Sequence, residues 1–475
     1  MDSANTSPVP ANLPVAESNA DDLATQCYFL DLLLQPLDEW RGFQVIEQFG
    51  LSGIRYELNF SQYALAMAQY TRTPAFTGYL AEAQRNAILK MTNRRVWSYW
   101  AIERLVGYGR WNPDPIVFHN IMYTAYFGMM IGLYETLNDD RRFSAPGSLT
   151  LRWNERKSYR YEFAGIANAI RVNMLQEPDH PQYPCEPRLV YPVCNTFALN
   201  TLRLHDRLHG TNLTGDLIER VRLSYDKDGW RRKNGRFLSC GTRSGRPLVP
   251  PSLFNDGSIA SLLNPTMPDV AENTWRVLRN KCITITGEDV ELERSVLDRI
   301  DAGNYNVNRG DAQARSCLMM GACEHGDDEA LNALDRSIAA RHDVIWSHGA
   351  RQFKGLSPWS YGSYALGRWG RRNSMRDLVN GVVPLEWRTG PLLAQVAYPD
   401  VLVAKAVTDG AALELVLRPG NGPTRATLKF ARLSPGRTYH VSGATVDQLI
   451  AATDGTALAE VDLAGRCEVR VWPAA

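Results

Sequence analysis

From about Asp21 to Val379, apolar residues recur at three- and four-residue steps, the period of helices that bury a face. Leu58, Tyr63, Leu65 and Met67 open one such face, and Ile121, Met122, Tyr126, Met129, Met130 and Leu133 form another. Further helical windows cover Thr196 to His209, Asp269 to Asn280, Ala312 to Cys323, Asp328 to Ala340 and Tyr361 to Val379. Turn clusters such as Gly107-Tyr108-Gly109, Asn112-Pro113-Asp114-Pro115 and Pro178-Asp179-His180-Pro181 separate the helices. Helices alternating with polar connections, without intervening strand signals or a tandem repeat, predict helical hairpins arranged around a common axis rather than a solenoid.

The period changes after about Leu392. Val401 to Val407, Leu413 to Leu417, Ala426 to Phe430 and Cys467 to Trp472 alternate or run apolar, separated by Asp409-Gly410, Pro419 to Pro423 and Pro435-Gly436. The pattern predicts a mainly α protein: a leader over 1–25 expected to be disordered, a helical toroid over 26–388 and a small antiparallel β-sandwich over 389–475. Loops at one mouth of such a toroid can rim a deep pocket.

Lys and Arg number 52 against 51 Asp and Glu, a formal charge of +1, so no electrostatic attraction toward nucleic acid is expected. No run approaches the roughly 20 apolar residues that span a bilayer. Residues 1–24 carry neither a basic nor an apolar signal region, so a cytoplasmic protein is expected, with its eight cysteines as free thiols.

The candidate chemistry centres on Cys185 and Cys194, in Cys185-Glu186-Pro187 and Val193-Cys194-Asn195. Two thiols facing an apolar cavity can give and take protons at little hydration cost, although a buried cysteine is more commonly an inert small hydrophobe. Glu186 is a second proton carrier if an apolar pocket raises its carboxyl group, or else a structural carboxylate ahead of Pro187. Tyr123, Tyr126, Trp97 and Trp100 are candidate aromatic walls for cationic character, and at helical spacing also ordinary core. Asn195 either orients Cys194 or caps the following helix. His205 and His209 share a helix face, but the glutamate of a zinc motif is missing between them, and neither a metal nor a cofactor is expected. Cys317 and Cys323 read as helix packing. Asn308-Arg309-Gly310-Asp311 and Asn255-Asp256-Gly257-Ser258 read as turn and cap residues near the mouth.

Lys90-Met91, Arg95-Val96-Trp97, Asp114-Pro115-Ile116, Asn120-Ile121-Met122-Tyr123, Gly132-Leu133-Tyr134, Arg141-Arg142-Phe143, Cys185-Glu186-Pro187, Cys194-Asn195 and Asp206 to Gly210 occur in one order. In these words the chain resembles the linalool dehydratase-isomerase family, from about Ile54 to Gly210 and more thinly to Pro384. The resemblance implies an (α,α)6 barrel, a cofactor-independent reaction and a homo-oligomer in which a neighbour's N-terminal segment helps close the site. It implies that Cys185 and Cys194 line the pocket and move protons, with Met122 in the wall and Tyr56 as a site tyrosine. The family's site histidine falls at Tyr126, whose phenol, with an ordinary pKa of about 10, donates rather than accepts protons near neutral pH. The family's early aspartate has no gap-free counterpart; Asp38 and Glu39 are the nearest acids.

Together these readings predict a lyase or isomerase acting on a terpenoid or similar apolar alkenol by (de)hydration, allylic isomerisation or proton-initiated cyclisation. A carbohydrate-active toroid enzyme using Arg243, Arg246, Arg309 and Tyr305 is the second reading. A lipid-binding protein without catalysis is the third.

Overall fold

The computed structural model describes residues 13–45, 53–287, 289–305 and 310–474. The helices Ile54–Arg72, Ile121–Asn138, Pro192–His209, Leu253–Leu262, Ala312–His325 and Pro358–Trp369 contact one another in that order, and the last packs against the first. They form a closed ring. Such helices need apolar or internally paired residues on every side, and Ile54 through Thr71 and Ile121 through Glu135 are buried without interruption. Close approach also demands small residues. A Cβ on Gly257 would lie 2.8 Å from the Cys317 backbone, and one on Gly362 would lie 2.8 Å from the Phe60 backbone.

Each of the first five ring helices is followed by a second helix: Gly78–Met91, Phe163–Leu175, Leu217–Lys227, Pro268–Lys281 and Asp328–Arg341. Pro268–Lys281 buries only the stripe Val270, Ala271, Thr274, Trp275 and Leu278, as its 3.6-residue period requires. The sixth ring helix is backed by the N-terminal helix Ala20–Leu34, where Phe29 meets Tyr361 and Trp369 at ring distances of 5.4 and 6.0 Å. That helix begins inside the stretch expected to be a leader. Asn19 and Asp22 form a reciprocal capping box there, and the Ser18 N–H donates to Ala404 O at 2.9 Å.

Two expectations fail: Asn255 to Ser258, read as turn and cap residues, lie buried inside the ring helix Leu253–Leu262, and strands interrupt the helical part. Four two-stranded ribbons interrupt the helical part, at Leu149–Asn154 with Lys157–Tyr161, Cys240–Gly241 with Pro247–Val249, Ile283–Thr286 with Asp289–Leu292, and Val344–Ser347 with Ala350–Phe353. Strands of two to six residues offer at most three alternations, too few to stand out from a helical period.

The C-terminal part is β-rich, as its alternation predicted. Its strands are β1 (Leu392–Gln395), β2 (Val401–Thr408), β3 (Leu413–Pro419), β4 (Thr424–Ala431), β5 (Thr438–Ser442), β6 (Gln448–Ile450), β7 (Ala457–Leu463) and β8 (Cys467–Pro473). They form an antiparallel five-stranded sheet in the order β2-β3-β8-β5-β6 and an antiparallel three-stranded sheet in the order β7-β4-β1. This part docks where the first ring helix ends: the Ala75 N–H donates to Ala406 O, Leu393 N–H to Ala75 O and Thr77 N–H to Leu393 O. It therefore lies at the carboxyl-terminal ends of the ring helices. No described helix is long and apolar enough to cross a membrane.

Candidate active site

The opposite end of the ring gathers the first turns of several helices. Tyr56 opens one, Met122 and Tyr126 lie near the start of the next, Cys194 follows Pro192 at the start of the third, and Trp359 follows Pro358 in the sixth. Proline suits that first position because its missing N–H would have had no helical partner. Backbone folding then brings Cys185 in. The Cys185 N–H donates to Leu189 O at 2.8 Å and the Leu189 N–H to Glu186 O at 3.0 Å, around Arg188 in the left-handed conformation. Val190 and Gly241 exchange hydrogen bonds of 2.8 and 3.0 Å, anchoring this turn to the Cys240 ribbon.

The two sulfur atoms lie 3.5 Å apart, both buried, and the Tyr126 hydroxyl is 3.5 Å from Cys194 Sγ. Asn195 sets this spacing. Its Oδ1 accepts from the Tyr183 N–H at 3.2 Å, and its Nδ2 donates to Tyr191 O at 3.1 Å and Tyr183 O at 3.4 Å. The segment carrying Cys185 is thereby tied to the helix carrying Cys194, so Asn195 orients rather than caps. Tyr191 holds the N-cap position.

Aromatic rings surround the sulfurs. Tyr126 stacks on Phe197 at 3.8 Å, Tyr56 stacks on Trp359 at 4.4 Å, and Tyr56 meets Tyr126 edge-on at 5.5 Å. The Tyr56 hydroxyl donates to Met122 Sδ at 3.5 Å. The buried Arg55 guanidinium donates to the same sulfur at 3.1 Å and lies over the rings of Tyr56 and Tyr99, at 4.3 and 4.5 Å.

Burial dominates the acidities. It pushes the Cys185 thiol well up, with further upward contributions from Cys194 and the Glu186 charge that outweigh Arg55. Burial and the neighbouring thiols likewise push Tyr126 well up. Both groups are therefore protonated and neutral at ordinary pH, in buried surroundings where a charge would be costly.

A linalool dehydratase/isomerase family model matches residues 55–359 of the chain. The chain belongs to this family. Within this member of the linalool dehydratase/isomerase family, the match contains both thiols, Tyr56, Met122, Tyr126 and Trp359. Among solved structures, an α-1,6-mannanase from a Salegentibacter species is similar at 12% identity and TM-score 0.39, over 76% of this chain and 98% of that one. Cellobiose 2-epimerase from Bacillus thermoamylovorans is similar at 10% identity and TM-score 0.44, over 74% of this chain and 98% of that one.

The remaining sequence candidates divide. Glu186 borders the thiols, half-buried, and its Oε2 accepts from the Tyr191 hydroxyl at 2.8 Å. Tyr123 turns toward the Gly78–Met91 helix, donating to Met91 O at 2.7 Å. Trp97 donates to Thr92 O at 3.0 Å and lies against Trp153 and Tyr159 of the first ribbon. Trp100 is buried in the Tyr99–Tyr108 helix. Among the described residues, no hydrogen bond or ring pair connects Tyr123, Trp97 or Trp100 with the thiols. Asp38 is exposed in a turn near Lys90.

His205 pairs with Thr211 and His209 with Glu135, and no group of three potential metal ligands occurs among the described residues. Asp311 is held by Arg315 and Arg294, and Asp256 by Arg236. Asn308 and Arg309 lie outside the described residues. Of the arginines in the carbohydrate reading, Arg243 and Arg246 lie among the described residues. Arg243 is tied to the backbone oxygens of His180 and Asn173, and Arg246 is exposed.

Sequence reasoning missed Tyr191, Cys240, Arg55, Phe197 and Trp359. The Cys240 thiol shares a hydrogen bond with Tyr191 and is pushed up to about 12, chiefly by burial. Its position in a turn-rich run carried no spacing signal. Trp359 had none either, because only ring closure brings it to Tyr56.

Proposed function

We propose that the protein is a cofactor-independent lyase or isomerase that moves protons between Cys185, Cys194 and an apolar alkenol, with Tyr126 and Tyr56 beside them. We read the ring and the β part as an (α,α)6 barrel over 26–388 and a β-sandwich over 389–475. The single observation that carries the functional reading is the 3.5 Å contact between two buried thiols, next to a phenol and stacked rings.

Removing water from an allylic alcohol requires one proton delivered to the departing hydroxyl and one taken from a neighbouring carbon. One buried thiol supplies the first: its S–H proton passes to oxygen, the C–O bond breaks, and water and a delocalised cation form. The thiolate left behind, unstable in an apolar chamber, is a strong base and removes the carbon-bound proton, restoring the thiol. Atoms and charge balance without an ionised base at the start. The second thiol and the Tyr126 hydroxyl share hydrogen bonds with the thiolate in between, while ring faces stabilise the cation. Hydration runs these steps backward, and allylic isomerisation returns water to a different carbon.

The test is product analysis after incubation with linalool, geraniol and longer prenyl alcohols. Turnover of one of them, lost in Cys185→Ala and in Cys194→Ala, supports the assignment. Full turnover in both variants removes the thiols from the mechanism, and uptake of an alkenol without product favours a lipid-binding protein.

A further inference from the structure

One cavity lies away from the thiols. It has a volume of about 810 Å³ and lies at the other end of the ring, between the carboxyl-terminal ends of ring helices, the Ser374–Asn380 helix and the start of the β part. Cys194 and Arg207 share one helix, and at 1.5 Å of rise per residue the cavity is about 20 Å from the sulfurs.

Arg203, Arg207, Arg388 and Arg432 line it, together with Arg141, Arg376 and the carboxylates Glu135, Asp139 and Asp377. Among the described residues, none of the four forms an ion pair with a carboxylate. Arg203 Nε donates to Asn380 Oδ1 at 2.9 Å, Arg432 Nη1 to Trp387 O at 3.4 Å, and Arg207 to Val379 O at 3.2 Å and to the Thr136 hydroxyl. The nearby acids are otherwise engaged or exposed. Glu135 accepts from Ser144 and His209, Asp377 is held by Arg371 at 2.7 Å, and Asp139 is exposed.

Arg207 is placed deliberately by the backbone. Gly381 has a φ of +71°, and a Cβ there would lie 2.5 Å from Arg207 Cδ, so the chain keeps a glycine where the arginine crosses it. Burial, and after it the charges of Arg388 and Arg203, push Arg207 down to about 10.

We infer that this cavity binds the diphosphate end of an organic anion, held by Arg203, Arg207, Arg388 and Arg432. Guanidinium forks match phosphate oxygens in pairs, and several of them suit a multiply charged group better than a single carboxylate. The volume exceeds the needs of an isolated phosphate and falls in the range of small-molecule pockets. Trp387, Val382, Val383 and Leu392 supply an apolar wall for the organic body. This inference is independent of the thiol chemistry.

Calorimetric titration of the full chain at about 150 mM salt tests it, using inorganic pyrophosphate, orthophosphate, citrate, ADP and geranyl diphosphate. Saturable one-site binding of pyrophosphate is expected, at least tenfold tighter than orthophosphate or citrate. ADP or geranyl diphosphate should bind more tightly still, and the better of the two identifies the organic body as heteroaromatic or isoprenoid. Arg203→Ala and Arg388→Ala replace exposed side chains and should each weaken pyrophosphate at least tenfold without lowering the melting temperature, whereas Cys185→Ala should leave binding unchanged. No saturable pyrophosphate binding, binding indifferent to both arginine substitutions, or equal binding of all the anions would overturn the proposal, as would preference for citrate.

Discussion

At the amino-terminal ends of the ring helices, most of the side chains that meet are neutral: two thiols, phenols, an indole and a thioether, with the Arg55 guanidinium lying against aromatic faces and the Glu186 carboxylate at the border. At the carboxyl-terminal ends of the same ring, six arginines and three carboxylates line a cavity, and Arg203, Arg207, Arg388 and Arg432 among them form no ion pair with a described carboxylate. The difference follows from what each end does with charge. Thiols and phenols are buried at modest cost while they stay protonated, and burial itself enforces that by raising their pKa values. A guanidinium cannot shed its proton under ordinary conditions, so it keeps access to solvent or, like the buried Arg55, lies against a sulfur acceptor and ring faces. Helix dipoles reinforce the contrast, since carboxyl-terminal ends favour cations.

The largest expected effect that sharpens this contrast is on catalysis. The double substitution Cys185→Ala/Cys194→Ala should lower alkenol turnover by about 10³-fold or more, in the range of general acid–base catalysis, with pyrophosphate binding unchanged. Measuring both on one preparation separates the two ends; parallel losses would show that they are a single unit.

A second prediction concerns stability at the arginine end. Glu324 is buried and accepts from the Met375 and Arg376 N–H groups and from Asn264, yet burial pushes it up to about 7. The folded protein therefore holds a proton that the unfolded chain releases near pH 4.5. Stability contributed by this proton is present at low pH and declines as the pH rises from about 4.5 to 7, by on the order of 3 kcal/mol. Melting of Glu324→Gln across that window should lack this decline; an unchanged slope assigns it to other groups, such as Asp256 and Asp301, each raised to about 6.

Smaller effects follow at the neutral end. Tyr126→Phe removes the hydroxyl beside Cys194 but keeps the ring on Phe197, so turnover should fall about tenfold while folding is retained. Asp38→Asn should change turnover less than twofold. A large loss in that variant would return the exposed turn to the site.

Five of the six ring helices were legible because they are long, whereas the ten-residue Leu253–Leu262 was read as a turn at Asn255 to Ser258. Ile121 through Leu133 repeats its period several times, and the β strands from Val401 and Leu413 alternate clearly. The thiol pair was legible from neighbouring words of chain, since Cys185 and Cys194 are close in sequence and one turn joins them. Tyr123, Trp97 and Trp100 looked equivalent to Tyr126 as aromatic candidates, but helix rotation sends Tyr123 toward Met91, and the first ribbon covers Trp97. The short ribbons were hidden because a strand of four residues has too few positions to show a period of two.

By itself, the amino-acid sequence determined most of the ring helices, the later strands, the family and the two thiols, because each depends on periodicity or on words within a short span. Only tertiary closure decided that Trp359 meets Tyr56 and that Arg203 and Arg207 share a cavity with Arg388 and Arg432. These meetings join residues far apart in the chain, and their positions depend on how the ring closes and where the β part docks.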